Sequence, residues 1–192
     1  MAQRAEDGGS YRTRLMKKTC RKIRTLALEI RSRRMAFVVL EGSSHLLDWG
    51  IRRWCSDVNP AKSVMERIDP LLALYSPSVV VLKKVGHASK MKKRRSVILA
   101  VKRKLAKRFI DVHMVERADV RQRFRESGNR TKYQIASTIA QMFPELRLKL
   151  PPKRRPWQTE HYNIAIFDAI SLALAYRSQC RVPADTPAEN DS

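Results

Sequence analysis

At 192 residues the chain has room for one domain with a substantial core and short extensions. Its 40 lysines and arginines against 18 acids give a formal charge of +22, while 43% hydrophobic residues exclude wholesale disorder. A charge of that size exceeds what solubility needs and points to a polyanion, nucleic acid ahead of an anionic membrane, because the basic residues are spread along the chain rather than gathered into one amphipathic anchor.

Residues 1–22 form a polar start and a basic run, read as a flexible arm able to lie on phosphate. Leu26-Ala27-Leu28 begins a short apolar run that ends in Glu29, the charged turn 31–34 follows, and Met35 to Leu40 make a second β-like run. After Gly42-Ser43-Ser44, His45 to Trp54 alternate like a third strand, so the three predict an antiparallel meander. Pro60 opens a helix ending near Leu74, and Val79-Val80-Val81-Leu82, apolar on both faces, is a central strand. A basic loop spans Lys83 to Arg95. A helix from Ser96 to about Phe109 then turns Val97, Leu99, Ala100, Val101 and Leu105 to the core. A strand at Val112–Val115, a short helix at Arg117–Arg125, the break at Gly128 and a helix from Thr131 to Phe143 come next. The prolines between Pro151 and Pro156 hold that segment out of helix and on the surface. Thr159 caps a last helix running to about Tyr176, and a Pro-rich acidic tail, 179–192, has the composition of a disordered segment. The order predicts an α/β layer fold with a mixed sheet over residues 23–178.

Within the last helix Asp168 is surrounded by small and apolar residues, Ile164 to Tyr176, and a charge so placed needs a cation, a donor or a raised pKa. Cys20, Cys55 and Cys180 are odd in number without metal-type spacing, and the four histidines are scattered, so neither a disulfide framework nor a zinc cluster is read. With no signal-like start and no long uncharged apolar run, the expectation is a soluble intracellular protein, cytoplasmic and nucleoid-associated, with no membrane partner.

Element order and four local matches resemble the RuvC-type Holliday-junction resolvases of the ribonuclease-H-like superfamily, over roughly Arg24 to Arg177. The resemblance implies a five-stranded mixed sheet, three antiparallel strands and then parallel ones, flanked by helices. It also implies a magnesium (or manganese) site of acids from the first strand, the fourth strand and the last helix, acting on branched DNA as a homodimer. Leu28-Glu29-Ile30-Arg31-Ser32-Arg33 is similar to the family's strand-end acid motif. A competing register that uses Glu41 leaves two strands where three are needed, so Glu29 is taken and Glu41 read as a solvent-side strand end.

The fourth-strand acid position is Lys83, either a cation tethered inside the site or the first residue of a solvated basic loop. Phe167-Asp168-Ala169 matches the last-helix acid, while the other acid position of that helix is Ala165. The resemblance thus assigns Glu29, Asp168 and Lys83 as catalytic. Glu29 and Asp168 are metal ligands, helped by Glu160 or by His161, which on a continuous helix lies about two turns before Asp168. Another reading makes His161 a capping residue. Arg121, followed eleven residues later by Lys132, is similar to the family's phosphate-handling pair. Arg33 and a stripe of Lys149, Lys153, Arg154 and Arg155 beside Trp157 complete the nucleic-acid contacts, with Trp157 either stacking on a base or pinning the helix start. With two acid positions replaced, the favoured expectation is a DNA-binding relative of these nucleases with cleavage impaired. The alternatives are a fully active magnesium-dependent crossover-junction endodeoxyribonuclease and a basic RNA-associated protein.

Overall fold

The computed structural model describes residues 23–42, 45–54, 59–86, 88, 91–125, 128–129, 131–155 and 157–180. The expectations for the N-terminal arm and for the acidic tail beyond residue 180 fall outside them, as do Cys20, Cys55, His87 and Pro156, while Gln179 and Cys180, expected in the tail, are helical. Strands β1 (Arg24–Ile30), β2 (Arg34–Glu41) and β3 (His45–Arg53) form the expected meander. Helix α1 (Pro60–Tyr75), strand β4 (Val79–Lys83), helix α2 (Lys92–Ala106) and strand β5 (Asp111–Val115) follow. Helices α3 (Arg117–Arg125), α4 (Lys132–Met142) and α5 (Ile164–Cys180) complete the described residues, with a 3-10 turn at Pro144–Lys149 that the sequence pattern does not set apart. The sheet order is β3-β2-β1-β4-β5, with β1 parallel to β4 and β4 parallel to β5.

β1 is the middle strand, and successive side chains of a strand leave by opposite faces. Leu26, Leu28 and Ile30 join Val80 and Leu82 in the core beneath α1 and α2. Ala27 joins Val79 and Val81 in the core beneath α3, α4 and α5. The same alternation sends Glu29 and Lys83 to the α5 side. The parallel register, Ala27 beside Val81 and Leu28 beside Leu82, extends by one step to set Glu29 next to Lys83 at the carboxyl ends of their strands. Glu41 lies at the opposite end of the β1–β2 ladder, 3.0 Å from Arg24.

α5 is apolar around its whole circumference because the sheet lies on one side and α3 and α4 on the other, so every residue from Ile164 to Ala175 except Asp168 is buried. Two helix starts differ from expectation. α5 starts at Ile164, not near Thr159. α2 starts at Lys92, so the end of the supposed basic loop is its first turn. Within α2 the buried stripe is Ile98, Val101 and Leu105, a spacing of one helix face, while Leu99 lies about 100° away from Ile98 and is exposed. Among the described residues no helix is long and apolar enough to cross a membrane.

α2 ends in a Schellman arrangement, with the Ile110 N–H on the Leu105 carbonyl and the Phe109 N–H on that of Ala106. The left-handed position belongs to Phe109 (φ +57°), whose side chain is 99% exposed. Phe109→Gly removes steric strain of about 1–2 kcal/mol and concedes part of it to the freer unfolded chain. Urea unfolding should therefore show a variant more stable by roughly 0.5–1 kcal/mol.

Candidate functional site

Glu29 is the most deeply buried acid of the described chain, at 1% exposure. An unpaired carboxylate there would carry a desolvation cost of several kcal/mol, and three cations answer it at one oxygen. The Arg94 guanidinium donates to Glu29 Oε1 at 2.8 Å and to the Ile30 carbonyl at 2.6 Å, reaching round the end of β1 from the first turn of α2. Lys83 Nζ and Arg31 Nε each stand 3.6 Å from the same oxygen. Lys83 is thus turned inward to the acid rather than into a solvated loop.

Arg31 follows β1 directly and is held by the tight turn in which its N–H donates to the Arg34 carbonyl. Its guanidinium donates to Glu160 Oε2 and to Asp168 Oδ2, both at 2.8 Å. Lys132 repeats the bridge with Glu160 Oε1 at 2.7 Å and Asp168 Oδ2 at 3.1 Å. Thr131 and Gln134 form a capping box that fixes Lys132 as the first residue of α4. A cation is disfavoured at that positive helix end, and the two carboxylates offset it. Four basic side chains therefore meet three carboxylates, and the cluster keeps one positive charge in excess.

Glu29, Glu160, Asp168, Lys83 and Lys132, all singled out from the sequence, come together. His161 does not lie on α5, so the two-turn spacing to Asp168 has no helix to act through. It is exposed, its Nδ1 accepts the Asn163 N–H at 3.3 Å, and its ring leans on Tyr162. Ala165 is fully buried in the core. Asp168 keeps 15% of its side chain exposed, so Glu29 and not Asp168 is the acid withdrawn from water. Arg31 and Arg94 were missed because the first was read as a turn residue and the second as loop. The tight turn after a strand-end acid was the available signal for Arg31.

Arg121 is exposed and lines a recess with Lys83, Lys132 and Arg117. Lys153 and Arg154 border a second hollow shared with Lys132, Glu160 and His161. Arg33 is exposed in the β1–β2 turn, and Lys149 lies over the Trp49 ring at 5.7 Å. Trp157 is 75% exposed with the Arg155 guanidinium 5.8 Å from its ring centre, so it does not pin the helix start to the core. The donor set does not fit a divalent ion. No three His, Cys, Asp or Glu side chains among the described residues are grouped to hold one, and each of the three acids already has cationic partners. Only Glu29 Oε2 is buried and without a hydrogen-bond partner among the site's carboxylate oxygens.

Burial pushes the Glu160 carboxyl up, but the hydrogen bonds and charges of Lys132 and Arg31 outweigh it and hold it below the ordinary carboxylate range. Burial likewise opposes the charge on Lys132 and Arg31, and the surrounding acids raise both above their usual values. A depressed acid stabilises the fold above its unfolded pKa and ceases to do so as pH falls through its folded value. The raised Lys132 contributes below its unfolded pKa and is lost as pH rises through its folded one. The Tm difference between the wild type and Glu160→Gln should be steady from about pH 6 to 9 and close below about pH 4, where the wild-type carboxyl protonates too.

The sequence matches no protein-family model and none of the curated proteins. Solved structures are similar in fold. RuvC of Thermus thermophilus in complex with Holliday junction substrate has a TM-score of 0.58 at 14% identity, covering 82% of this chain and 94% of that one. A second Thermus thermophilus RuvC structure has a TM-score of 0.59 at 15% identity, covering 82% of this chain and 95% of that one. The yeast mitochondrial Holliday junction resolvase has a TM-score of 0.53 at 11% identity, covering 81% and 78%. The mixed five-stranded sheet with its flanking helices is therefore the ribonuclease-H-like fold that these resolvases share.

Proposed function

We propose that this chain binds DNA, with branched duplex such as a four-way junction as its preferred form, and that its acid cluster is closed by its own cations instead of holding a catalytic metal. The observation that carries the reading is the pairing of Glu29, Glu160 and Asp168 with Arg31, Lys83, Arg94 and Lys132. Lys83 acts as the tethered cation where the resemblance implies an acid. Arg33, Arg121, Lys132, Lys153, Arg154 and Arg155 contact phosphates, and Trp157 stacks on an unpaired base or sugar at a branch. The charge of +22 supplies affinity by counterion release. The working unit is a homodimer in the cytoplasm, on the nucleoid.

An active endonuclease is the second reading, and the unpartnered Glu29 Oε2 favours it, because a buried carboxylate oxygen without a donor is a natural ligand for a magnesium or manganese ion. The two are separated by cleavage. The parent chain should leave a four-way junction intact in magnesium or manganese while binding it, and Lys83→Glu, which restores an acid beside Glu29, is the variant to assay next to it. Full cleavage by the parent sinks the closed-site reading in favour of the nuclease.

Binding itself should weaken steeply with salt, with a slope of log affinity against log salt of about −5 if all six proposed cations engage phosphate. Addition of EDTA should leave the affinity unchanged. A strong requirement for divalent metal in a titration by fluorescence anisotropy contradicts the closed site.

A further inference from the structure

The recess beside the acid cluster is built differently from the cluster itself. Its walls come from α3, α4, α5 and the end of β4, and four cations line it: Lys83, Arg117, Arg121 and Lys132. Arg117 and Arg121 sit one turn apart on α3, so they face it from the same side. Both are exposed, and neither has an ion-pair partner among the described residues. One carboxylate, Asp168, also lines the recess, and its Oδ2 is already held by Arg31 and Lys132. Phe167 and other apolar side chains form most of the remaining lining, with Ser171, whose hydroxyl donates to the Asp168 carbonyl at 2.7 Å. Two uncommitted guanidiniums and two partly shielded ammoniums over an apolar lining make a site for a compact anion of more than one charge.

A phosphodiester inside a strand carries one negative charge and must leave the site in two directions. A terminal phosphomonoester carries about −1.5 to −2 at neutral pH and enters from one side. Planar guanidiniums suit its extra oxygens through paired, charge-assisted hydrogen bonds. We infer that this recess receives the terminal phosphate of a DNA strand, with Arg117 and Arg121 as the forks that grip it and Lys83 and Lys132 as the charges behind them.

The inference rests on the DNA-binding reading and deepens it, because it makes a phosphorylated strand end part of what the protein recognises. Short blunt duplexes of one sequence, ending in 5′-phosphate, in 3′-phosphate or in hydroxyls only, are titrated with the full chain by fluorescence anisotropy at fixed salt. One phosphorylated form should bind about tenfold tighter than the hydroxyl form, as a pair of charge-assisted hydrogen bonds allows. The arm showing the gain identifies the end. Arg117→Gln should bring the ratio of the two affinities close to one, whatever it does to affinity overall. Equal affinity for all three duplexes, or an undiminished ratio in Arg117→Gln with unchanged Tm, overturns the inference and leaves DNA binding standing. Failure to bind any duplex overturns both.

Discussion

A carboxylate at the inner end of the central strand must be matched by positive charge, and the geometry around Glu29 follows from that requirement. The pleat of β1 aims it at the α5 side, where water does not reach it. Each cation that answers it arrives by a different backbone constraint. Lys83 comes through the parallel register of β4, Arg94 through the early start of α2, and Arg31 through the tight turn into β2. Arg31 then extends the network, because a guanidinium has more donors than one carboxylate can use. Its outer nitrogens take Glu160 and Asp168, and Lys132 doubles those contacts from the start of α4. Strands β1 and β4, the turn after β1, helices α2, α4 and α5 and the segment before α5 all converge on one charge problem.

The balance of that network decides what it can attract. Three carboxylates alone would form a sink for cations. Enclosed by four basic side chains, they become the inner layer of a surface whose outer charge is positive. Glu29 Oε1, Glu160 and Asp168 Oδ2 are already held by arginine or lysine, whereas Arg117 and Arg121 have no ion-pair partner among the described residues. The same fold can therefore carry a cation-binding or an anion-binding face, depending on a few side chains at the strand ends.

Much of this was legible in the sequence, for a physical reason. Strand alternation and the order of apolar runs depend on burial, and burial is written in residue type, so the meander and β4 could be read directly, whereas Glu29 and Lys83 were placed by the family resemblance, with Lys83 open between an inward cation and a loop residue. Asp168 stood out for the same cause. Helix starts were less legible. The run Lys92-Lys93-Arg94-Arg95 has the composition of a loop, yet it forms the first turn of α2 and delivers Arg94 to Glu29. The metal-ligand reading of His161 fails at the same kind of boundary, since a two-turn argument has no helix when α5 begins three residues later, while the reading of it as a capping or exposed residue agrees with its contact to the Asn163 N–H. Glu160 reached the site for a reason outside helical periodicity: the irregular chain before α5 bends it to Arg31 and Lys132. Leu99 shows the remaining limit, because it cannot share one helix face with Val97, Ala100, Val101 and Leu105, and it is exposed.

The bridge from Arg31 to Glu160 joins residues 129 positions apart. Such a contact closes a very long loop of chain, and the entropy of that closure must be met before the contact forms. Glu160 lies just past the proline-bearing stretch that carries Lys153, Arg154 and Arg155, a stretch with no helix or strand of its own. That stretch is thus tied at its far end by an ion pair, a noncovalent clasp between the segment before α5 and the turn after the first strand. The basic stripe is thereby tied to the edge of the sheet's acid cluster through a side chain rather than through backbone ladder bonds.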